Sequence, residues 1–211
     1  MYRPPHFRED RLAVQHALIR EHALGLLVTA GPGGLQANHI PFVIDAAASE
    51  RGTLCAHLAR ANPQWQELSA IEECLVVFQG PQTDISPSLY PSKHEHGNAV
   101  STWNYITVHA WGRPRVIEDT AWLRRHVEEL TAHNETPLPS PWLVSDAPEA
   151  YVAAQLKGIV GVEIPIARGE GKWKVSQNRP AADRAGVVAG LRGRGGDAER
   201  MASLVAQRGE G

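Results

Sequence analysis

Residues 25–45 read GLLVTAGPGGLQANHIPFVID, and this stretch decides the fold. Two apolar runs flank Gly31-Pro32-Gly33-Gly34, a sequence that turns the chain back on itself. The reading is an antiparallel hairpin with strands at 25–30 and 35–45 and no crossover helix between them. Upstream, EDRLAVQHALIREH (9–22) has helical spacing, with Leu12, Val14, Leu18 and Ile19 as its apolar positions. Downstream, GTLCAHLA (52–59) is a third strand. Asn62-Pro63 then starts a helix bearing Trp65 and Leu68, since Asn caps well and proline suits the first turn.

ECLVVFQG (73–80) is a buried strand whose regular pairing ends at Pro81, which has no N–H for a ladder. A polar loop over 87–98 leads into AVSTWNYITVHAWGRPRVIE (99–118), a long strand or a hairpin. Asp119 caps a helix with the stripe Trp122, Leu123, Val127 and Leu130. Asp146 starts another, APEAYVAAQL, which stops at Gly158. GIVGVEIPIA (158–167) is a further strand and GKWKVSQN leaves it. The tail from Ala181 is helical, in two stretches split by Gly193-Arg194-Gly195-Gly196. Six or so strands that do not alternate with crossover helices predict a mainly β fold with peripheral helices (α+β). A doubly wound parallel sheet is disfavoured.

The formal net charge of -2 offers no overall electrostatic footprint for DNA, so a regulator of this composition needs a local basic patch. Cys55 and Cys74 both lie in apolar runs and read as buried core thiols of a reducing compartment. MYRPPHFRED is not a signal peptide, and no apolar run has the length of a membrane span, so the expectation is a cytoplasmic protein.

Thr102-Trp103-Asn104-Tyr105 places a hydroxyl, an indole, an amide and a phenol in consecutive positions of an apolar strand. Alternation puts Thr102 and Asn104 on one face and Trp103 and Tyr105 on the other. Two readings stand level: an aromatic core with the polar pair in solvent, or a wall for a planar ligand. Lys172-Trp173-Lys174-Val175-Ser176-Gln177-Asn178-Arg179 crowds cations and amides at a strand end, suited to a phosphate and a heterocycle, or simply solvated. Arg60, ahead of the Asn62 cap, reads as a surface arginine or as an anion contact. His94-Glu95-His96 lies in a loop without further ligands nearby, and no metal site is expected. His39 and His109 read as strand histidines. Ser86 and Ser88 lack a GxSxG turn, and neither GxGxxG nor a P-loop occurs.

Taken in order, these pieces resemble one family. They are MYRPPHFRED, ANHIPF, H-x-A-R-A-N-P-x-W at 57–65 and D-I-S-P-S-L-Y-P-S-K at 84–93. V-S-T-W-N-Y-x-x-V-H-A-x-G at 100–112, K-x-S-Q-N-R at 174–179 and D-R-x-G-V-x-x-G-L at 183–191 follow. The chain is similar to the PaiB-type FMN-binding negative transcriptional regulators over residues 1 to about 191. The resemblance implies an FMN-binding split β-barrel, akin to pyridoxamine phosphate oxidases, over 1–180, with a helical tail at 181–211. It implies a homodimer with the flavin at the interface. Asn38 and His39 fall on a cofactor-facing strand, and His57, Arg60 and Asn62 where relatives hold the flavin phosphate. Thr102, Trp103, Asn104 and Tyr105, with Ser86 and Tyr90, would wall the ring. Lys174, Ser176, Gln177 and Arg179 would close the site. Two positions depart from the family pattern: Leu89 stands where an aromatic is usual, and Ser101 where proline is favoured.

The family implies repression of transcription. Arg184, Arg192, Arg194, Arg200 and Arg208 in the tail offer phosphate contacts, interleaved with Asp183, Asp197, Glu199 and Glu210. A flavin-dependent oxidoreductase or haem-degrading enzyme, and a ligand-binding module without direct DNA contact, stay open beside it.

Overall fold

The computed structural model describes residues 1–93 and 97–208. The chain divides into two compact units. One, the hairpin unit, comprises Leu12–Phe78 and His109–Gly169; the other, the terminal unit, comprises Met1–Arg11, Gln79–Val108 and the chain from Glu170 onward.

In the hairpin unit, β2 (Leu24–Gly31) and β3 (Gly34–Asp45) form the expected hairpin, in register from Leu24 opposite Pro41 to Gly31 opposite Gly34. The loop is Pro32-Gly33, and Gly34 leaves it at φ +94°, a conformation that favours glycine. β4 (Thr53–Ala59) pairs with β3, β8 (Ile159–Pro165) pairs along the whole of β4, and β7 (Arg115–Ile117) borders β8. On the other side of the hairpin, β5 (Cys74–Ile85) pairs with β2 through Leu75–Val77. Every one of these pairings is antiparallel. Leu27, Phe42, Leu54, Val76, Phe78 and Val162 form the core, with Phe42 edge-on to Phe78 at 5.6 Å between centroids.

Helices α1 (Leu12–Glu21), α2 (Gln64–Leu68), α3 (Thr120–Glu135) and α4 (Glu149–Leu156) complete this unit. Asp119 caps α3 as its sequence suggests, its Oδ1 accepting the Trp122 amide at 2.7 Å. The Trp122 ring lies so close to β8 that a Cβ on Gly161 would stand 2.4 Å from it. Leu123, Val144, Val152 and Leu156 form a second buried cluster around α3 and α4.

The strand order of the terminal unit is β1 (Arg8–Glu9), β9 (Arg168–Lys174), β6 (Thr102–Gly112) and β5, and its helices are α5 (Ala181–Leu191) and α6 (Gly196–Gln207). Buried Asp183 accepts the Ser92 amide at 3.1 Å and the Ser92 hydroxyl at 2.7 Å, which fixes the start of α5. Gly186 lets α5 lie against the turn at Pro87–Leu89, where a Cβ would stand 2.1 Å from the Leu89 carbonyl. The buried Glu9 carboxylate binds Arg11 and, at the end of α6, Arg208.

The structure corrects several expectations. Among the described residues nine strands form, more than the six or so read from sequence. Strand β5 runs through Pro81 to Ile85, because its pairing with β2 ends at Val77 and the missing N–H breaks no bond on that side. The 99–118 segment is not a hairpin: β7 pairs with β8. GKWK belongs to a strand, β9, and α1 begins at Leu12 because Arg8 and Glu9 pair with Lys172 and Gly171. Helix α4 starts at Glu149 after Pro148, not at Asp146. The His94-Glu95-His96 triplet and Glu210 lie outside the described residues. Among the described residues, no helix is long and apolar enough to cross a membrane.

Candidate functional site

The terminal unit gathers ten of the residues singled out above, along β6, the end of β9 and the loops beside them. Alternation along β6 runs opposite to the aromatic-core reading of Thr102–Tyr105. Asn104 is buried, 1% exposed, while Trp103 is 55% exposed; Thr102 and Tyr105 are half-buried. A polar amide is therefore inside and an indole outside.

Asn104 Nδ2 donates to Ser176 Oγ at 2.8 Å, a buried bond between β6 and the turn after β9. Ser176 holds φ at +61°, a left-handed conformation costing a serine about 1–2 kcal/mol. Such strain persists only where surroundings fix it. Here the Asn104 bond, the Arg179 amide on the Ser176 carbonyl (2.9 Å) and Gln177 do so. Gln177 Oε1 accepts the Val175 amide at 2.8 Å, and its Nε2 donates to the carbonyls of His6 at 2.9 Å and Trp173 at 2.5 Å. Gln177 shapes the turn; both ends of its amide are engaged.

Lys174 Nζ donates to Thr102 Oγ1 and to the Trp103 carbonyl, the latter at 2.6 Å. Burial, helped by the charges of Lys172 and Arg179, pulls its pKa below the usual lysine range. The Arg179 guanidinium lies over the buried Tyr90 ring at 4.8 Å, and burial pushes the Tyr90 phenol upward. Ser86 caps its turn by accepting the Ser88 amide at 3.2 Å.

In the hairpin unit, Asn38, His57, Arg60 and Asn62 sit in self-contained networks. Asn38 donates to Gln64 Oε1 at 2.9 Å, and fully buried Gln64 donates on to Thr29 Oγ1 at 3.0 Å. Asn62 Oδ1 accepts the Gln64 amide at 3.0 Å, but the N-cap of α2 (Gln64–Leu68) is Pro63, one residue later than the sequence suggests. Arg60 is braced by Glu118 at 2.8 Å and by the carbonyls of Lys157 at 3.2 Å and Ile159 at 3.4 Å. A guanidinium has five N–H donors, so one on each terminal nitrogen is left over. His39 is exposed on β3.

His57 has a partner that sequence reading missed. Its Nδ1 lies 3.1 Å from Nε2 of His126 on α3, and the two rings meet edge to face. Trp122 stacks on the other side of His126, and its indole donates to Glu163 Oε1 at 2.7 Å. Burial, reinforced by His57, drops the His126 pKa to about 4, and burial lowers that of His57. The pair is neutral at pH 7. The signal was present: His126 lies on the α3 face one turn from Trp122.

Both cysteines are free. Cys74 is buried and Cys55 half-buried, and burial pushes both thiols up to about 12, so neither is a thiolate at pH 7.

Exposed ring surface at Trp103, with the cations Lys174 and Arg179 in the same unit, suits a flavin mononucleotide. The sequence profile of the family described as "Putative FMN-binding domain" matches residues 1–168. An uncharacterized protein of Emericella nidulans is 36% identical, over 96% of this chain and 95% of its own length. The Bacillus subtilis "Protease synthase and sporulation protein PAI 2" is 30% identical over 97% and 96%, a match reaching past residue 168. A conserved hypothetical protein of Mycobacterium tuberculosis has a similar structure, with TM-score 0.60 at 12% identity, covering 85% of this chain and 94% of that one. Mainly β with peripheral helices, this chain has the flavin-binding split-barrel fold. It belongs to the FMN-binding-domain family, and FMN is its cofactor.

Proposed function

We propose that this protein is an FMN-binding negative transcriptional regulator of the PaiB type, acting as a homodimer with the flavin at the dimer interface. The observation that carries the regulatory part is its 30% identity, over nearly all of both chains, to the Bacillus protein named for protease synthesis and sporulation.

For the flavin, the strongest support is the inverted alternation of β6. A buried Asn104 anchors the strained Ser176 turn, while the Trp103 ring is exposed and the Tyr105 ring half-buried on the opposite face. Trp103 and Tyr105 then carry the isoalloxazine. Lys174, held by Thr102, and Arg179, held on Tyr90, border it, with Ser86 in the adjoining loop. In the hairpin unit, Arg60 and Asn62 are the proposed phosphate contacts, since bracing by Glu118 presets the guanidinium before a ligand arrives. Asn38, His39 and His57 complete the proposed set.

For DNA, Arg192, Arg194 and Arg200 are the tail arginines free of side-chain bonds among the described residues; Arg184 binds the Arg179 carbonyl and Arg208 binds Glu9. The test has two stages. Purified protein should show the flavin absorption band and take up FMN at one per protomer. It should then bind a promoter fragment with an affinity that falls steeply with salt, and replacing Arg192, Arg194 and Arg200 by alanine should flatten that slope. No flavin uptake would remove the cofactor reading, and salt-independent or absent promoter binding would remove the regulator.

A further inference from the structure

The flavin reading makes no use of one lysine of β9. Lys172 is 7% exposed, yet among the described residues its ammonium has neither a hydrogen bond nor a carboxylate. Its electron-rich neighbours are the ring faces of Tyr105 at 5.1 Å and Tyr2 at 5.5 Å. Lysines this little exposed are ordinarily paired with an acid, and ring faces are weaker partners than a carboxylate.

The surroundings add like charge. Arg8 stands directly opposite Lys172 in the β1–β9 register, so the two side chains share a face of the sheet, an arrangement unfavourable by itself. The Arg8 Nε donates to the Arg3 carbonyl, not to an acid. Lys174, two residues along β9, lies on the same face, and Arg179 is near enough to act on it together with Lys172. The acid on that face, Glu170, binds the Met1 α-amino group at 2.8 Å and lies 3.7 Å from Arg3. Glu9 is opposite Gly171, on the other face, and belongs to Arg11 and Arg208.

We infer that Lys172, with Arg8 across from it and Lys174 beside it, is a binding site for a small phosphate monoester dianion other than the cofactor's own phosphate. Two charges suit this group better than one, because several cations lie together with no free acid among them. The largely buried stem of Lys172 leaves little of the residue exposed, which favours a small ligand over a duplex backbone. The inference stands on the charge pattern alone and not on the regulator reading.

The probe is phenyl phosphate, titrated by calorimetry into the FMN-loaded full chain and into FMN-free protein, with benzoate as the singly charged control. We expect saturable binding to both forms, at least tenfold weaker binding of benzoate, and at least a tenfold loss in Lys172→Met. Lys172→Arg, which keeps the charge, should recover most of the affinity and guards against a folding defect. Displacement of phenyl phosphate by FMN would show that these cations hold the cofactor's phosphate and overturn the inference while leaving FMN binding intact. Unchanged affinity in Lys172→Met, equal binding of benzoate, or a Lys172→Met effect seen only on promoter DNA would each overturn it too.

Discussion

The two units treat the polar residues of the candidate site in opposite ways. In the hairpin unit the candidate residues of the site have local partners: Arg60 with Glu118, Asn62 with the Gln64 amide, Asn38 with Gln64, His57 with a neutral His126. In the terminal unit, Arg8, Lys172, Lys174 and Arg179 lie near one another with little compensating acid, and Ser176 is held in a strained conformation. A satisfied network fixes geometry. Uncompensated charge and strain instead mark where a ligand completes the structure.

The largest expected effect tests the balanced side. His126 titrates near 4 in the fold and near 6.5 when exposed, so between those values the unfolded chain binds the extra proton. Stability is then complete above about pH 6.5 and falls by roughly 3 kcal/mol as pH drops to about 4, for this one group. Urea midpoints between pH 7.5 and 4.5 measure it, and His126→Gln should flatten the profile. A wild-type midpoint that does not move over that range would break the description of a buried neutral pair.

Next comes Asn104→Ala, which leaves the Ser176 hydroxyl without its buried partner and should cost about 1–3 kcal/mol. Chemical denaturation reads the loss, and FMN affinity should weaken with it. Arg60→Ala should weaken FMN binding by about tenfold, roughly 1.4 kcal/mol, while changing stability by no more than ~1 kcal/mol, since its ion pair is exposed. Fluorescence titration of FMN against the variant decides this. The smallest effect has the opposite sign. Lys172→Met, measured without phosphate or FMN, should raise stability by about 0.5–1 kcal/mol, because it removes a cation that stands opposite Arg8 without an acid partner. A destabilised Lys172→Met would make the two units alike.

Much of the architecture was legible because local chemistry and tertiary contacts agree there. Gly31-Pro32-Gly33-Gly34 has one economical conformation, and Asp119 caps whatever helix follows it. Strand β9 was not legible, since Gly169, Gly171 and the lysines give it little β propensity; its pairing with β1 and β6 supplies what sequence lacks. Pro81 misled for a related reason, as proline is harmful only where a partner strand needs its N–H. Within the candidate site, the motif residues could be named from their order along the chain. Which of them face inward could not, because Thr102–Tyr105 fits either face equally well. His126 was overlooked and Lys172 was read only as one cation of a cluster, because their significance lies in what stands opposite them, His57 across a helix–sheet contact and Arg8 across a ladder.

The most direct test of the account follows the tryptophan indole N–H resonances of the nitrogen-15-labelled protein during an FMN titration. If the flavin lies against the outward face of β6, the Trp103 indole shifts or broadens saturably, reaching its end point at one FMN per protomer. A spectrum in which FMN is visibly bound while the Trp103 resonance stays in place would contradict it.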